Sequence, residues 1–218
     1  MWRGLVWTRL PVLAVYAVIF NKMIGGVTGI YLSDVPADQY FHGSVFVVAH
    51  FHYMLMGAAL FAAMAGLAFY FPKMTGRVLD ERTASIGFWT AFVGFQVTFM
   101  AMFVAGLQGM PRRVLQFDSL FNAPNQIATV GAYIIGIGML IFAGAVVYSW
   151  SSGDRAPANP FGSKSLEWQT PTPVPLENFA VLPVISERPY TYGVPDPYEN
   201  VSLNSERKPD AQRVGGSP

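Results

Sequence analysis

Cysteine is absent from this 218-residue sequence, which excludes disulfides, thiolate-bound metals and copper–thiolate sites from the chain. Charge is scarce as well. Asp, Glu, Lys and Arg make up 12% of the residues, about half the roughly 25% usual in soluble globular proteins. None of them occurs in 10–21, 39–72, 83–111 or 119–153. The last three runs each exceed the roughly 20 apolar residues that cross a hydrocarbon core of about 30 Å. The first reaches that length by continuing through Lys22 to Leu32. An ordinary soluble domain is thereby excluded, and an all-α membrane protein with about four transmembrane helices is expected. A formal net charge of +1 and the lack of a basic tract give nucleic acid nothing to bind.

The pattern places helices at about 11–32, 43–72, 85–109 and 126–150, within a transmembrane region 1–153. Short connections carry turn chemistry: Ser33-Asp-Val-Pro36, Lys73-Met-Thr-Gly76 and Asn122-Ala-Pro-Asn125. Tyr31, Tyr70, Phe71, Tyr148 and Trp150 sit near the expected ends, as an interfacial belt requires. Gly25 and Gly29, four apart, suit close helix packing. Arg3 and Arg9 precede the first apolar run, as in a signal peptide. That run continues through Ile24-Gly-Gly without a small-residue cleavage pattern, so it reads as an anchor. Residues 154–218 are Pro-rich and aperiodic, and are expected to form an extended, solvated cytoplasmic tail. Leu166-Glu-Trp168 and the apolar stretch at 178–183 leave open that the tail lies along a partner.

Arg3, Arg9, Lys73, Arg77, Arg82, Arg155 and Lys164 fall on one side of these helices, and Arg112 and Arg113 on the other. The positive-inside tendency puts both termini in the cytoplasm of a multi-pass protein of the cell's inner (plasma) membrane.

Histidine is also scarce, and all three histidines fall together: His42, His50 and His52. One intramembrane His is as readily a satisfied interhelical hydrogen bond as a ligand. Two in one charge-free helix favour ligation, because such groups are costly in a bilayer. At about 100° per residue, an i, i+2 pair projects about 200° apart. His50 and His52 therefore cannot chelate one metal, but each can serve a centre on its own side of the helix. Two haems fit, since an axial bond needs one imidazole per face. Phe51 would lie between the faces, and Gly57, Ala58, Ala59, Ala62 and Ala63 leave room for a macrocycle. Haem propionates need cationic partners near the membrane edge. Arg112 and Arg113 suit them through paired guanidinium donors, although an Arg pair at that depth can equally bind lipid phosphates.

At these residues a family resemblance is plain. Val47-Val-Ala-His-Phe-His-Tyr53 resembles the histidine signature of subunit I of haem–copper oxidases. Also similar, in family order, are Ile24-Gly-Gly-Val-Thr-Gly-Ile30, Phe71-Pro-Lys-Met-Thr-Gly76, Gly106-Leu-Gln-Gly-Met-Pro-Arg-Arg113, Ser165-Leu-Glu-Trp168 and Glu177-Asn-Phe179. The resemblance implies the last four of that family's twelve helices. It implies His50 as ligand of a high-spin haem, His52 as ligand of a low-spin haem, and Phe51 as the aromatic between them. It further implies Arg112 and Arg113 as propionate partners, with Asp38 and His42 above the high-spin haem. Two haems, of the a type, and copper held by residues outside this chain follow from it. The implied partners are the remaining subunit I helices, other oxidase subunits, cytochrome c and membrane lipid.

The departures are specific. Gly43 stands where the family has an Asp that, with the preceding His, helps hold magnesium, which puts a magnesium role for His42 in doubt. Ala101 and Phe103 replace a Pro and a His, and Lys22 and the first twenty residues are unlike the family. Tyr53 and Pro111 favour the cytochrome c branch over the quinol branch. With three histidines, all assigned, the chain supplies neither the copper ligands nor the second low-spin ligand. The expected function is therefore part of a respiratory oxidase that moves electrons from cytochrome c to dioxygen with proton pumping. A non-catalytic haem-binding or assembly protein and a quinol oxidase portion are the alternatives.

Overall fold

A computed structural model describes residues 8–163 and 165–179. Arg3 and Lys164, the 180–183 end of the apolar stretch and the tail from there to 218 lie outside the described residues.

The described chain is helical, with four helices long and apolar enough to cross a membrane: Leu10–Ser33, Val45–Thr75, Glu81–Leu107 and Ser119–Ser152. In order, α1 is Leu10–Ser33, α2 Val35–Phe41 and α3 Val45–Phe51; a π-helical turn, His52–Met56, leads into α4, Gly57–Thr75. After these come α5, Glu81–Leu107, a 3₁₀ turn at Ser119–Phe121, α6, Asn122–Ser152, and a last 3₁₀ turn at Leu166–Trp168. The described residues divide into two compact units, one within 8–69 and 79–151 and the other within 70–78 and 152–179.

Local chemistry explains where the elements differ from the pattern. The stretch taken as a connection after residue 33 holds α2, because a Pro opens its first turn, where its missing N–H costs nothing. Gly43, at φ 79°, turns the chain out of α2, and the Ser44 hydroxyl caps α3 by accepting from the Phe46 amide. The pattern starts the third long helix near 85, whereas α5 starts at Glu81. Asp80 caps it, accepting from the Arg82 and Thr83 amides and, at 2.6 Å, from the Thr83 hydroxyl. Those bonds, the Thr83 hydroxyl foremost, hold the Asp80 carboxyl below the usual carboxylate range. Nothing in the composition announces the π turn that interrupts the second span.

Packing in the first unit runs on small residues and aromatic rings. Gly87 and Gly94 of α5 face Gly138 and Gly131 of α6. A Cβ on Gly94 would lie 2.6 Å from the Ile135 amide nitrogen, and one on Gly87 equally close to that of Phe142. The two backbones approach as they do between membrane helices, where lipid tails provide no hydrophobic drive and close packing must. Phe61, Phe88 and Phe95 are buried, and Phe61 meets both of the others edge-to-face.

In the second unit the buried Lys73 donates to the carbonyls of Ala158, Thr170 and Trp168 at 2.9, 2.5 and 3.4 Å. It also lies 5.6 Å from the Trp168 ring centre. Trp168 is itself buried, stacked on Tyr70 and edge-on to Phe161. The described start of the tail is therefore folded around a lysine whose donors are all met by main chain.

Candidate haem-ligand helix and its surroundings

His50 is the last residue but one of α3 and His52 opens the π turn, so the two stand on one rod. Their neighbours differ. The His50 ring lies against α1, where a Cβ added to Gly29 would come 3.0 Å from His50 Cε1. Its Nδ1 is 3.1 Å from the Thr28 hydroxyl oxygen. That hydroxyl has one proton, and the Ile24 and Gly25 carbonyls, each 3.0 Å away, take it. With that proton on a carbonyl, Thr28 accepts from His50 in the tautomer that carries its proton on Nδ1 and keeps a lone pair on Nε2.

His52 reaches the same state by another route. Its Nδ1 is 2.7 Å from the Val48 carbonyl, which can only accept. Its ring stacks with Phe51 and with Phe99 of α5, each centroid 4.5 Å away. Neither Nε2 makes a hydrogen bond among the described residues. A metal-ligating His usually donates its other ring N–H to a fixed acceptor, which sets tautomer and orientation. Both rings meet that condition, so the donor set fits two separate axial ligands. Among the described residues no three His, Asp or Glu side chains converge to hold an ion.

Below His52 the rod is braced by a chain of polar side chains. The buried Tyr53 donates to Gln96 Oε1 at 2.7 Å, Gln96 donates to Asn21 Oδ1 at 2.9 Å, and the buried Asn21 donates to the Gly57 carbonyl at 3.2 Å. The chain links α1, the π turn and α5. In a bilayer each of these groups would otherwise go unsatisfied.

The arginines come to the same end of the rod through the backbone. The loop after α5 pairs with the start of the histidine helix: Ser44 bridges Pro111, the Val45 amide donates to Met110, and the Arg112 amide donates to Gly43, both at 2.9 Å. Arg112 thus sits beside Gly43, two residues before α3 begins. Arg113 is held at φ 65°, a left-handed conformation uncommon for a side-chain-bearing residue. On the other side of Gly43, His42 Nδ1 and Asp38 Oδ2 are 3.1 Å apart, with the His42 side chain 73% exposed. The structure brings Asp38, His42, Arg112 and Arg113 to one end of the rod and leaves Phe51 beside His52.

Sequence reasoning passed over Thr28, Gly29, Asn21, Gln96 and Phe99 as parts of this site. Asn21 and Gln96 carried a usable signal, as polar side chains in otherwise apolar spans. Phe99 carried none, being one of 17 phenylalanines.

The family model described as cytochrome c and quinol oxidase polypeptide I matches residues 1–134. Cytochrome c oxidase subunit 1 of Thermostichus vulcanus is 39% identical over 194 residues, 89% of this chain and 35% of that protein. The subunit 1 of Corynebacterium diphtheriae is 43% identical, over 87% of this chain and 34% of its own length. Among solved structures, a heme-copper terminal oxidase dimer shares the fold, with a TM-score of 0.61 at 22% identity over 70% of this chain and 29% of that one. The chain spans about a third of the length of the curated relatives it matches. With four helices long and apolar enough to cross a membrane, the chain belongs to the subunit I family of the haem–copper cytochrome c and quinol oxidases.

Proposed function

We propose that this chain is part of the catalytic subunit of a terminal respiratory oxidase, in which His50 and His52 are axial ligands to two separate haem irons. The reading places His50 on the high-spin haem and His52 on the low-spin haem, in an enzyme that carries electrons from cytochrome c to dioxygen and pumps protons. One observation carries it. Both imidazoles have Nδ1 engaged in a hydrogen bond and Nε2 outside any among the described residues, and they address different neighbouring helices. A haem bound here would supply a redox-active iron that such a nitrogen could hold.

The remaining residues take supporting roles. Arg112 and Arg113 bind propionates by charge-assisted hydrogen bonds, with Asp38 and His42 alongside. The backbone pairing of 110–112 with 43–45 supports this reading, as does the left-handed conformation of Arg113, since strained backbone gathers at functional sites. Phe51 separates the two ligand faces. Copper is held by residues outside this chain. The distribution of Lys and Arg along the sequence, weighted to alternate connections between the apolar runs, supports a plasma-membrane protein with cytoplasmic termini. A reporter tag after residue 160 that reads external would overturn that orientation.

Spectroscopy of the assembled oxidase tests the ligands. His52→Ala should remove the low-spin haem bands, and His50→Ala should abolish carbon monoxide binding at the high-spin haem. Identical spectral losses from the two changes, in protein that still assembles, would sink the two-site reading.

A further inference from the structure

The first membrane helix carries a lysine where a bilayer is least able to accommodate one. Lys22 lies near the midpoint of Leu10–Ser33, about 18 Å along the axis from one end and about 16 Å from the other at 1.5 Å per residue. Its four-carbon stem covers only part of either distance, so it cannot snorkel to an interface as lysines near helix ends do. It is exposed and makes no hydrogen bond or ion pair among the described residues. Its neighbour Asn21, by contrast, is fully buried and bonded within the bundle.

The surface around Lys22 has the form of a helix-packing face. Ile19, Met23, Val27 and Ile30 are exposed and fall with Lys22 and Gly26 on one stripe of α1, at the i, i+3, i+4, i+7 positions of a helix face. Gly26 is open, with nothing within 4 Å of where a Cβ would be, so another backbone can approach closely one turn from the lysine. A cation at mid-depth, beyond the reach of water and headgroups, needs a counter-charge from protein.

We propose that this α1 face docks a further transmembrane helix that carries an Asp or Glu at mid-depth, and that Lys22 forms an intramembrane ion pair with that carboxylate. The inference rests on the membrane-spanning character of α1 and not on haem ligation, so either can fail without the other.

The experiment uses native membranes holding the full chain and its partners. A membrane-permeant carbodiimide activates carboxylates within the apolar phase. The Lys22 amine then displaces the activating group, an amide bond forms, and the water lost leaves as the corresponding urea. Mass spectrometry should find a branched peptide joining Lys22 to an Asp or Glu inside an apolar stretch. Lys22→Arg should lose the branched peptide but keep the chain in its native-gel complex. Lys22→Met should lose both, with at least tenfold less chain in the complex. Any one of three results overturns the proposal: no branched peptide or one ending in a polar loop, modification of Lys22 by a water-soluble amine reagent in assembled membranes, or assembly of Lys22→Met at the wild-type level.

Discussion

Thr28 shows how one hydroxyl sets the chemistry of a ring on another helix. With its proton on a main-chain carbonyl, its oxygen accepts from His50 Nδ1. Such a bond raises the basicity of the opposite nitrogen and fixes the ring. Thr28→Val keeps the shape and removes the acceptor, leaving a donor unsatisfied at a cost of about 1–3 kcal/mol. In the assembled oxidase, the high-spin iron–histidine stretching band should fall in frequency in Thr28→Val and return in Thr28→Ser. An unmoved band in Thr28→Val would mean that Nδ1 has no part in tuning the ligand. The histidines were legible in the sequence because ionisable groups in charge-free spans are conspicuous. Thr28 was not given a role, although it lies within the quoted Gly-Gly-Val-Thr-Gly stretch. A Thr in a membrane helix commonly bonds back to its own backbone, as this one does too.

Among elements, the helices themselves were the most legible part, since apolar runs longer than a bilayer leave few alternatives. Their edges depended on caps that composition does not reveal, such as Asp80 with Thr83. The π turn at His52–Met56 had no sequence cue. Its support comes from Asn21, Gln96 and Tyr53, contributed by three different segments, and only tertiary structure brings them together. The α5–α6 contact gives a controlled test of backbone proximity. Gly94 meets the α6 backbone, whereas Gly136, on α6 itself, has nothing within 4 Å. Gly94→Leu should lower the thermal unfolding midpoint in detergent by several degrees, in line with the roughly 1–3 kcal/mol typical of overpacking. Gly136→Leu should leave the midpoint within about a degree. Equal effects from the two would argue that helix propensity, and not interhelical space, governs this interface.

For the whole molecule, the donor inventory decides what the chain can do unaided. It has three histidines and no cysteine, and the proposed reading uses His50 and His52 on iron and His42 beside Asp38. The family resemblance requires three more histidines for copper and another for the low-spin haem, and the chain has none to give. Its curated relatives are roughly two and a half times as long, which leaves room for those ligands elsewhere in a complete subunit. Isolating the four helices would also strip apolar enclosure from the ligand rod, and burial is one of the levers on haem potential. The chain expressed alone should therefore insert into membranes yet show no oxygen uptake with reduced cytochrome c. Co-expression of a polypeptide supplying the remaining helices should restore haem bands first and oxygen uptake second, because ligation precedes turnover. The measurement is oxygen consumption by purified protein with iron and copper content determined on the same sample. Cyanide-sensitive uptake by this polypeptide alone, without copper, would show that the missing histidines are not needed and that the ligand assignments fail with them.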